Sequence, residues 1–446
     1  MDVRLNMPIT RFLSRSSIIL KASAAIALLI ILTLTLSACS ILPGAKKEKT
    51  VSLKYWGIWE SATTINQVTE DYKKIKPNVN ITYEKKSREQ YREAVENQIQ
   101  AGKGPDIFIF HNTWTPMLKE ELEPVPASVI SQSEFKKNFY PTVFSDLRNP
   151  NKKFVGIPQE IDGLALYWNE DIFKAAGITS PPTTWEDLTR TAARLTVRDP
   201  AGNIKTAGIA LGTASNVDHF SDILGLMIMQ NGGDLKSPVD KQSADALEYY
   251  TSFARGVNRF WDETQPPSTI AFAGGNLAMY FAPSWRAIEI RSANPLLKFK
   301  VAPVPQLVGG KIAWSSYWAI GVSAKSQNKE EAWEFVKYLL QDQTLIKLYS
   351  EAAKSPNRFF GEPYPKISMA QKLLSDPIIG AYIQDAPYMH SFPMASRTFD
   401  NGLNDQIIKA YEDAVNETLR GTPAKNVLET TAKNVANILT RYGANP

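Results

Sequence analysis

The chain has 446 residues, of which 43% are hydrophobic and 21% are charged, and its formal net charge is +5. It contains a single cysteine, which excludes an intramolecular disulfide and a cysteine-based metal site. Residues 1–38 carry four basic side chains and one acidic one, so the rest of the chain is close to neutral and lacks the charge typical of nucleic-acid binding.

Residues 1–38 have the layout of an export signal, because basic side chains precede the uncharged apolar run 22–36. The run ends in Leu-Ser-Ala-Cys at 36–39. This matches a lipobox, in which small residues let a signal peptidase cut before a cysteine that receives diacylglycerol. The alternative is a helix retained in the membrane, but the run is shorter than the roughly 20 residues needed to cross a bilayer. We therefore predict a signal peptide at 1–38 and a lipidated Cys39.

Residues 39–50 predict a flexible tether, since they contain Pro43, Gly44 and three lysines. Alternating apolar residues then predict strands at 51–55 and 79–83, and a short apolar run predicts a third at 107–110. Apolar residues spaced three and four apart predict a helix in each interval, the first stopping at Pro77 and the second closed by Gly102. The order strand, helix, strand, helix, strand predicts a parallel sheet with right-handed crossovers.

A second block of elements begins near Ile161. The apolar run 164–168 predicts a strand, which a helix ending at Gly177 follows. Thr184 is predicted to cap the next helix, with Asp187 in the capping-box position. The apolar stripes of this helix and of two later ones are Trp185, Leu188, Ala192 and Leu195; Trp333, Val336 and Leu340; and Leu428, Thr431, Val435, Ile438 and Tyr442.

Motifs for catalysis are scarce. The three histidines, His111, His219 and His390, lie in no metal-ligand spacing, and the sequence has no nucleophile elbow and no phosphate-binding glycine loop. Glu160 and Asp162 stand two residues apart, so on an extended segment they face one side and could serve as the acid and nucleophile of a glycosidase. Such pairs are common by chance. We favour the interpretation that they accept hydrogen bonds from ligand hydroxyls or line an edge between lobes.

The ten tryptophans divide by their setting. Trp185 and Trp333 lie on helical apolar stripes and are predicted to belong to the core. Loop indoles beside polar residues are typical of a surface on which sugar rings stack, although each could instead plug an edge of the core. The tryptophans at strand ends or in loops are Trp59, Trp114, Trp285, Trp314 and Trp318.

Five motifs, in order, resemble those of the extracellular solute-binding proteins of ABC importers, of the maltose and multiple-sugar type (family 1). Trp168 stands where this family usually has a tyrosine, Pro283 stands where a glycine is common, and residues 355–397 match less clearly. The motifs are Ala101–Phe108; Gly156–Glu160 running on to Leu166–Gly177; Pro182–Leu188; Phe272–Met279 with Ser284 and Trp285; and Val301–Pro305 with Trp318–Ile320 and Glu331–Phe335.

The resemblance implies an α/β, two-lobed periplasmic-binding-protein-like fold of the class II type, whose hinge the chain crosses several times. Lobe 1 would comprise residues 51–158, with about 302–350 returning to it. Lobe 2 would comprise residues 160–298, with about 370–446 returning to it. The ligand would lie in the cleft between the lobes and be enclosed by hinge motion.

The resemblance also implies which residues face the ligand. Trp285 takes the position of the family's cleft tryptophan, and Glu160 and Asp162 lie at the crossover between the lobes. The loops after the first and third strands, and the loop before the return strand, supply the rest. The predicted ligand-binding set is Trp59, Glu60, His111, Asn112, Trp114, Glu160, Asp162, Trp285, Trp314 and Tyr317.

We therefore predict an extracytoplasmic, lipid-anchored, monomeric protein that binds a sugar or oligosaccharide and delivers it to ABC permease subunits. The prediction includes no enzymatic activity, no cofactor, no metal and no nucleic-acid partner. Two alternatives stay open: a surface carbohydrate hydrolase that uses Glu160 and Asp162, and a binder of a non-sugar solute, such as a polyol phosphate or a peptide, on the same fold. Phosphate would call for an arginine cluster facing the cleft, and only Arg286 and Arg291 lie near a proposed site residue.

Overall fold

The structure is a computed structural model that describes residues 49–256, 259–355 and 358–444. The predicted signal peptide, Cys39 and all but the last two residues of the predicted tether lie outside these ranges. Within them, no helix combines the length and the hydropathy that a membrane crossing requires.

Twelve strands and fifteen helices, numbered in chain order, make up the described ranges. The strands are β1 (Val51–Gly57), β2 (Val79–Lys85), β3 (Ile107–His111), β4 (Ile157–Pro158), β5 (Ala165–Asn169), β6 (Val197–Arg198), β7 (Ile204–Thr206), β8 (Met279–Ala282), β9 (Phe299–Ala302), β10 (Ala313–Trp314), β11 (Trp318–Val322) and β12 (Met389–His390).

The helices are α1 (Ala62–Ile75), α2 (Tyr91–Gln100), α3 (Gln132–Asn138), α4 (Pro141–Asp146), α5 (Glu170–Ala175), α6 (Trp185–Leu195), α7 (Phe220–Gln230), α8 (Lys241–Ser252), α9 (Ser268–Ala273), α10 (Arg286–Ala293), α11 (Lys329–Leu339), α12 (Asp342–Ala353), α13 (Ile379–Asp385), α14 (Leu403–Leu419) and α15 (Ala424–Tyr442). Short 3₁₀ turns occupy Asn112–Trp114, Ile367–Lys372 and Ala386–Tyr388.

The first sheet has the strand order β2-β1-β3-β11-β4. β1 pairs in parallel with β2 and β3, and α1 and α2 connect these three strands, so the predicted β-α-β-α-β unit is confirmed. β11 returns from much later in the chain and runs antiparallel to β3 and β4. Every residue of β3 is buried, as expected for a central strand covered on both faces. Of the stripe predicted for α1, Ile65, Val68 and Tyr72 are buried, whereas Ile75 is 61% exposed.

The second sheet has the order β8-β5-β9, with both pairs antiparallel. Helix α6 buries the predicted stripe, and Trp185 and Trp333 are both core residues. The hydroxyl of Thr184 caps α6 by accepting the N–H of Asp187, at 3.1 Å. The Asp187 carboxylate does not complete a capping box and instead contacts Arg190.

The chain first passes between the two sheets at 159–164 and later returns at 303–317. These passages touch where Gly163 pairs with Ser315 in an isolated antiparallel bridge. The N–H of Leu164 also donates to the carbonyl of Trp314, at 3.3 Å. A Cβ atom on Gly163 would lie 1.8 Å from that same carbonyl oxygen, so only glycine fits at this contact.

Replacing Gly163 by alanine is therefore expected to destabilise the protein by at least about 2 kcal/mol, because the two passages must separate to admit the methyl group. Gly310→Ala is the matched control, since a Cβ atom there meets nothing within 4 Å. Denaturant unfolding of both variants measures the difference. Equal stability of the two would contradict the close contact between the passages.

Candidate functional site

A cavity of about 330 Å³ is lined by residues from both sheets and from the segments that pass between them. On the side of the first sheet it is lined by Trp59, Arg88, His111, Ser316 and Trp318. On the side of the second sheet it is lined by His219, Asp222, Pro283, Trp285, Arg286, Ile288 and Glu289. Glu160, Asp162, Gly163 and Leu164 come from the first passage, and Arg358, Glu362 and residues 396–399 come from later parts of the chain.

Trp318 is the centre of an aromatic cluster on the side of the first sheet. Its ring makes edge contacts with Trp59, His111 and Trp114, with centroids 5.3, 5.2 and 5.1 Å away. Trp59 and Trp318 both line the cavity, whereas Trp114 lies fully buried behind them. The indoles of Trp59 and Trp318 therefore form this wall of the cavity, and the indole of Trp114 supports them from behind.

Trp285 provides the aromatic surface on the opposite side. The guanidinium of Arg286 stacks on its ring at 4.4 Å, and His219 makes an edge contact at 5.8 Å. The Nε–H of Arg286 donates to Nε2 of His219, at 3.0 Å, and Nδ1 of His219 lies 2.7 Å from the hydroxyl of Ser396. Burial, followed by the nearby Arg286 charge, lowers the pKa of His219 well below its usual value. The imidazole is therefore neutral and holds Arg286 against the indole.

His111 is also a neutral hydrogen-bonding group. Its Nδ1 lies 2.7 Å from the hydroxyl of Thr113, and its Nε2 lies 3.0 Å from that of Ser316. Burial lowers the pKa of His111 to about 3. Both ring nitrogens are engaged with hydroxyl groups, so this histidine is better suited to orienting Ser316 than to transferring protons.

Asp162 joins the first passage to the loop that carries Trp285. Its carboxylate accepts the N–H of Gly163 at 2.8 Å, the N–H of Ser284 at 3.2 Å and the hydroxyl of Ser284 at 2.8 Å. Burial raises the pKa of Asp162 to about 7, although these hydrogen bonds oppose the rise. Both oxygens are used inside the protein, so Asp162 positions the Trp285 loop and is poorly placed to attack a substrate.

A group of three carboxyls surrounds Arg358 at the base of the cavity. Arg358 donates to Glu362 at 2.5 Å and lies 3.5 Å from Glu60. Burial, and then the charge of Glu362, raises the pKa of Glu160 well above its usual value. Burial works in the same direction on Glu362, but Arg358 outweighs it and lowers the pKa of Glu362. Glu160 is therefore a neutral acid that hydrogen-bonds the ionised Glu362, and its Oε1 accepts the N–H of Trp318, at 3.3 Å.

The arginines of the cavity are all matched by acidic or aromatic partners. Arg286 contacts Glu289 at 2.5 Å and approaches Asp218 at 3.7 Å. Arg397 contacts the same Asp218 at 2.5 Å. Arg88 stacks on Phe399 at 4.7 Å and contacts Glu89 at 3.3 Å. Of the two arginines near Trp285, Arg286 lines the cavity, whereas Arg291 does not and stacks on Phe359. The charges of the lining arginines are compensated.

The structure brings five of the ten predicted ligand-binding residues to the cavity and leaves five in the protein interior. Trp59, His111, Glu160, Asp162 and Trp285 line the cavity. The other five are not part of its lining. They are Glu60, Asn112, Trp114, Trp314 and Tyr317, all of them buried.

The buried members of the set have partners that account for their positions. Asn112 and Tyr317 both donate to the Asp146 carboxylate, at 2.9 and 3.0 Å. The indole N–H of Trp314 donates to Asp222 at 2.8 Å, and its ring covers Gly225, where a Cβ atom would lie 2.5 Å from it. These aromatics lie in loop-like sequence, yet they pack into the interior where the passages meet.

Several lining residues escaped the sequence analysis. Arg88, His219, Asp222, Arg358, Glu362 and the stretch 396–399 come from separate parts of the chain. Four of them, Arg358, Glu362, Ser396 and Arg397, fall in residues 355–397, where the family resemblance is weakest. Trp318 also lines the cavity. It was one of the tryptophans at strand ends or in loops, so its position in the sequence could have added it to the predicted ligand-binding set.

No group of three histidine, cysteine, aspartate or glutamate side chains with the arrangement of a metal site occurs in the described ranges.

Comparison with known proteins gives consistent matches. Residues 58–344 match the family model described as bacterial extracellular solute-binding protein. The chain is 23% identical over 293 residues to the maltotriose-binding protein of Pyrococcus abyssi, a match that covers 63% of this chain and 60% of that protein.

Two solved structures share the fold. One is an ABC transporter solute-binding protein from Thermotoga lettingae bound with α-D-tagatose, with a TM-score of 0.66, 22% identity, and coverage of 87% of this chain and all of the other. The second is a cyclo/maltodextrin-binding protein complexed with maltotetraose, with a TM-score of 0.71, 14% identity, and coverage of 88% and 99%. The predicted two-lobed α/β fold is confirmed by this likeness.

Asp162 and Asp222 each contribute stability that declines as pH rises towards neutrality. The buried neutral histidines His111 and His219, whose pKa is lowered, contribute the opposite dependence, so the effect of one aspartate is measured as a difference between variants. Burial raises the pKa of Asp162 from 3.8 to about 7 and that of Asp222 from 3.8 to about 6. An acid whose pKa is higher in the folded state holds its proton more tightly there. The stability it contributes is therefore fully present at low pH and is lost as pH rises from the unfolded pKa through the folded one.

We expect Asp162→Asn, whose amide can still accept from Ser284, to remove part of this decline between about pH 4 and about pH 7. The part removed should not exceed about 4 kcal/mol, which is the value of a three-unit difference in pKa. Melting temperatures measured across this range for wild type, Asp162→Asn and the surface variant Asp413→Asn provide the check. The surface variant should keep the wild-type slope, and an unchanged slope in Asp162→Asn would show that Asp162 is not the group that titrates.

Proposed function

The chain belongs to the bacterial extracellular solute-binding proteins, and from this we propose that it binds a short sugar in the cavity between its sheets and delivers it to an ABC permease. The observation that carries the proposal is that indole surfaces border one cavity from two sides, Trp59 and Trp318 on one side and Trp285 on the other, and that the same cavity is lined by polar side chains. An indole offers an apolar face to the C–H side of a pyranose. The ring would then be held between surfaces that belong to different lobes.

The polar groups of the cavity suit hydroxyl groups. Ser316 and Ser396 present hydroxyls that His111 and His219 orient, and these neutral imidazoles and the neutral acid Glu160 add no charge to the lining. Such groups donate or accept hydrogen bonds without demanding a charged ligand. A volume of about 330 Å³ is near the lower end of the roughly 300–1,000 Å³ usual for ligand pockets, which favours a monosaccharide or disaccharide over a long oligosaccharide.

The two alternatives are less well supported. A glycosidase would need a second carboxyl free to act with Glu160, and the Asp162 oxygens are used by Gly163 and Ser284. A phosphate-binding site would need arginines able to turn to the ligand, and those of this cavity lie beside Asp218, Glu289 and Glu362. We therefore propose binding without turnover.

Delivery to a permease would take place outside the cytoplasmic membrane, in line with the extracellular character of the family. We propose that Cys39 anchors the chain there through a lipid, that residues 39–50 act as the tether, and that the protein works as a monomer. The grounds for the anchor are the lipobox at 36–39 and the presence of just one cysteine in the chain.

Trp285→Ala is expected to weaken sugar binding at least roughly thirtyfold, because buried tryptophan anchors typically contribute about 2 kcal/mol or more to binding. Calorimetry with D-tagatose, maltotriose and maltotetraose on residues 40–446 measures the effect. Chromatography of the same samples should show each sugar unchanged. Normal binding by Trp285→Ala would place the sugar elsewhere, and hydrolysis that disappears in Glu160→Gln would favour the glycosidase.

Trp185→Ala is the matched control. Trp185 is 4% exposed and its indole N–H donates to Gln230 at 2.5 Å, so its truncation should cost on the order of 3 to 5 kcal/mol of folding stability. It should melt early yet keep its affinity below its melting temperature, whereas Trp285→Ala should keep most of its melting temperature. The opposite pattern would exchange the roles assigned to the two tryptophans.

Cys39→Ser is expected to leave full-length precursor without lipid, because the modified thiol is absent. Mass spectrometry of the protein from membranes should show wild type beginning at a diacylglyceryl Cys39 and the variant retaining residues 1–38. A wild-type protein that keeps its first 38 residues would contradict the anchor and leave the binding proposal intact.

A further inference from the structure

The stretch Ser396–Asp400 connects the two sides of the cavity. At one end, the N–H of Ser396 donates to Asp222 at 3.0 Å and its hydroxyl contacts His219 at 2.7 Å, both on the side of the second sheet. At the other end, the carbonyl of Asp400 accepts from Arg92 of α2 at 2.7 Å, on the side of the first sheet. The residues between these anchors line the cavity.

The backbone of this stretch is strained. Arg397 and Phe399 both adopt left-handed conformations, with φ of +63° and +55°, although neither is glycine. Such conformations are sparsely populated by residues with side chains, and they persist where the surroundings enforce them. Here Arg397 is fixed by Asp218 and Phe399 by Arg88. Strain of this kind is concentrated at functional sites.

Thr398 lies between the two strained residues and carries an unsatisfied hydroxyl. It lines the cavity, is 2% exposed, and its Oγ1 has no hydrogen-bond partner among the described residues. Buried side-chain hydroxyls nearly always have a partner, so one without a protein partner calls for an explanation. The left-handed residues on both sides flank this threonine at the cavity wall.

We propose that the Thr398 hydroxyl is a ligand contact that hydrogen-bonds a hydroxyl of the bound sugar, and that the left-handed residues on either side position it. The proposal rests on the sugar-binding function proposed above and adds a residue to which no motif points. Since Ser396 and Asp400 are anchored on opposite sides, a ligand held by Thr398 would contact the chain where it passes from one lobe to the other.

Thr398→Val tests the proposal, because valine keeps the shape of threonine and removes the hydroxyl. Calorimetry with D-tagatose, maltotriose and maltotetraose is expected to show affinity on the order of tenfold lower for whichever of them wild type binds, since a sugar hydroxyl is left unpaired. Thr398→Ser keeps the hydroxyl and should retain most of the affinity. Wild-type affinity in Thr398→Val would overturn the proposal.

Thr418→Val is the matched control. Thr418 is fully buried on α14, its Oγ1 also lacks a partner in the described ranges, and it does not line the cavity. This variant should bind as wild type does. A comparable loss of affinity in Thr418→Val would show that removing any buried hydroxyl disturbs binding, and would overturn a specific role for Thr398.

A measurement without ligand separates this proposal from the proposed function. Removing an unpartnered buried hydroxyl should leave the melting temperature of the free protein unchanged or raise it by roughly 1 to 2 °C, in Thr398→Val as in Thr418→Val. A clear fall in Thr398→Val alone would reveal a protein partner for the hydroxyl and overturn the proposal. If wild type binds none of the sugars, the result counts against the proposed sugar function. The melting temperatures of free Thr398→Val and Thr418→Val would then still show whether the Thr398 hydroxyl has a partner within the protein.

Discussion

Three aspartates, the buried Asp162 and Asp222 and the half-buried Asp146, hold together segments from distant parts of the chain. Asp146 accepts from Asn112, Tyr317 and Ser391, which come from three distant parts of the chain. Asp162 accepts from Gly163 and Ser284, and Asp222 accepts from Trp314 and Ser396. A buried carboxylate is costly unless several donors surround it. Each aspartate therefore fixes donors from distant segments at one point, and the cavity walls depend on these points.

This arrangement explains why some polar groups of the cavity are available to hydrogen-bond a ligand and others are not. The aspartates have their oxygens engaged by donors inside the protein, so they act as supports. The Thr398 hydroxyl lines the same cavity without a partner among the described residues, whereas Glu160 accepts the N–H of Trp318 and hydrogen-bonds Glu362. Groups that the protein leaves incompletely satisfied at a cavity wall are those a ligand can satisfy at little cost in reorganisation. The contrast separates residues that build the site from residues that are free to contact a ligand.

Sequence patterns predicted the elements whose causes are local. The β-α-β-α-β unit follows from alternation and helical stripes within 51–111, and α6 follows from its cap and stripe. The same reasoning could not distinguish Trp59 from Trp114, because both follow strands of the first sheet. Trp318, two hundred residues later in the chain, packs against both, but Trp114 also lies beside Tyr91 of α2, whose ring centroid is 6.3 Å away, and is fully buried. Burial that depends on a distant partner leaves no trace in the local sequence.

The remaining residues of the site could not be predicted from the sequence, because their roles also depend on partners that are distant in the chain. Arg358 and Glu362 matter because they meet Glu60 and Glu160, far from them in sequence. The left-handed backbone at Arg397 and Phe399 contradicts the local preference of both residues, so no propensity rule points to it. Sites of this kind are expected where local preference and global fold disagree.

The compensation of the charges that line the cavity determines which ligand properties the cavity can distinguish. The arginines at its walls are matched by carboxylates, and burial keeps Glu160, His111 and His219 neutral. A ligand would therefore gain little from net charge. It would gain from stacking on indoles and from the placement of its hydrogen-bonding groups. Because the indoles lie on opposite sides of the cavity, a ligand that contacted both would favour the state in which the two sides lie close together, through its differential contacts. Selectivity would arise from the geometry of the closed cavity, which the buried aspartates at the passages hold in place.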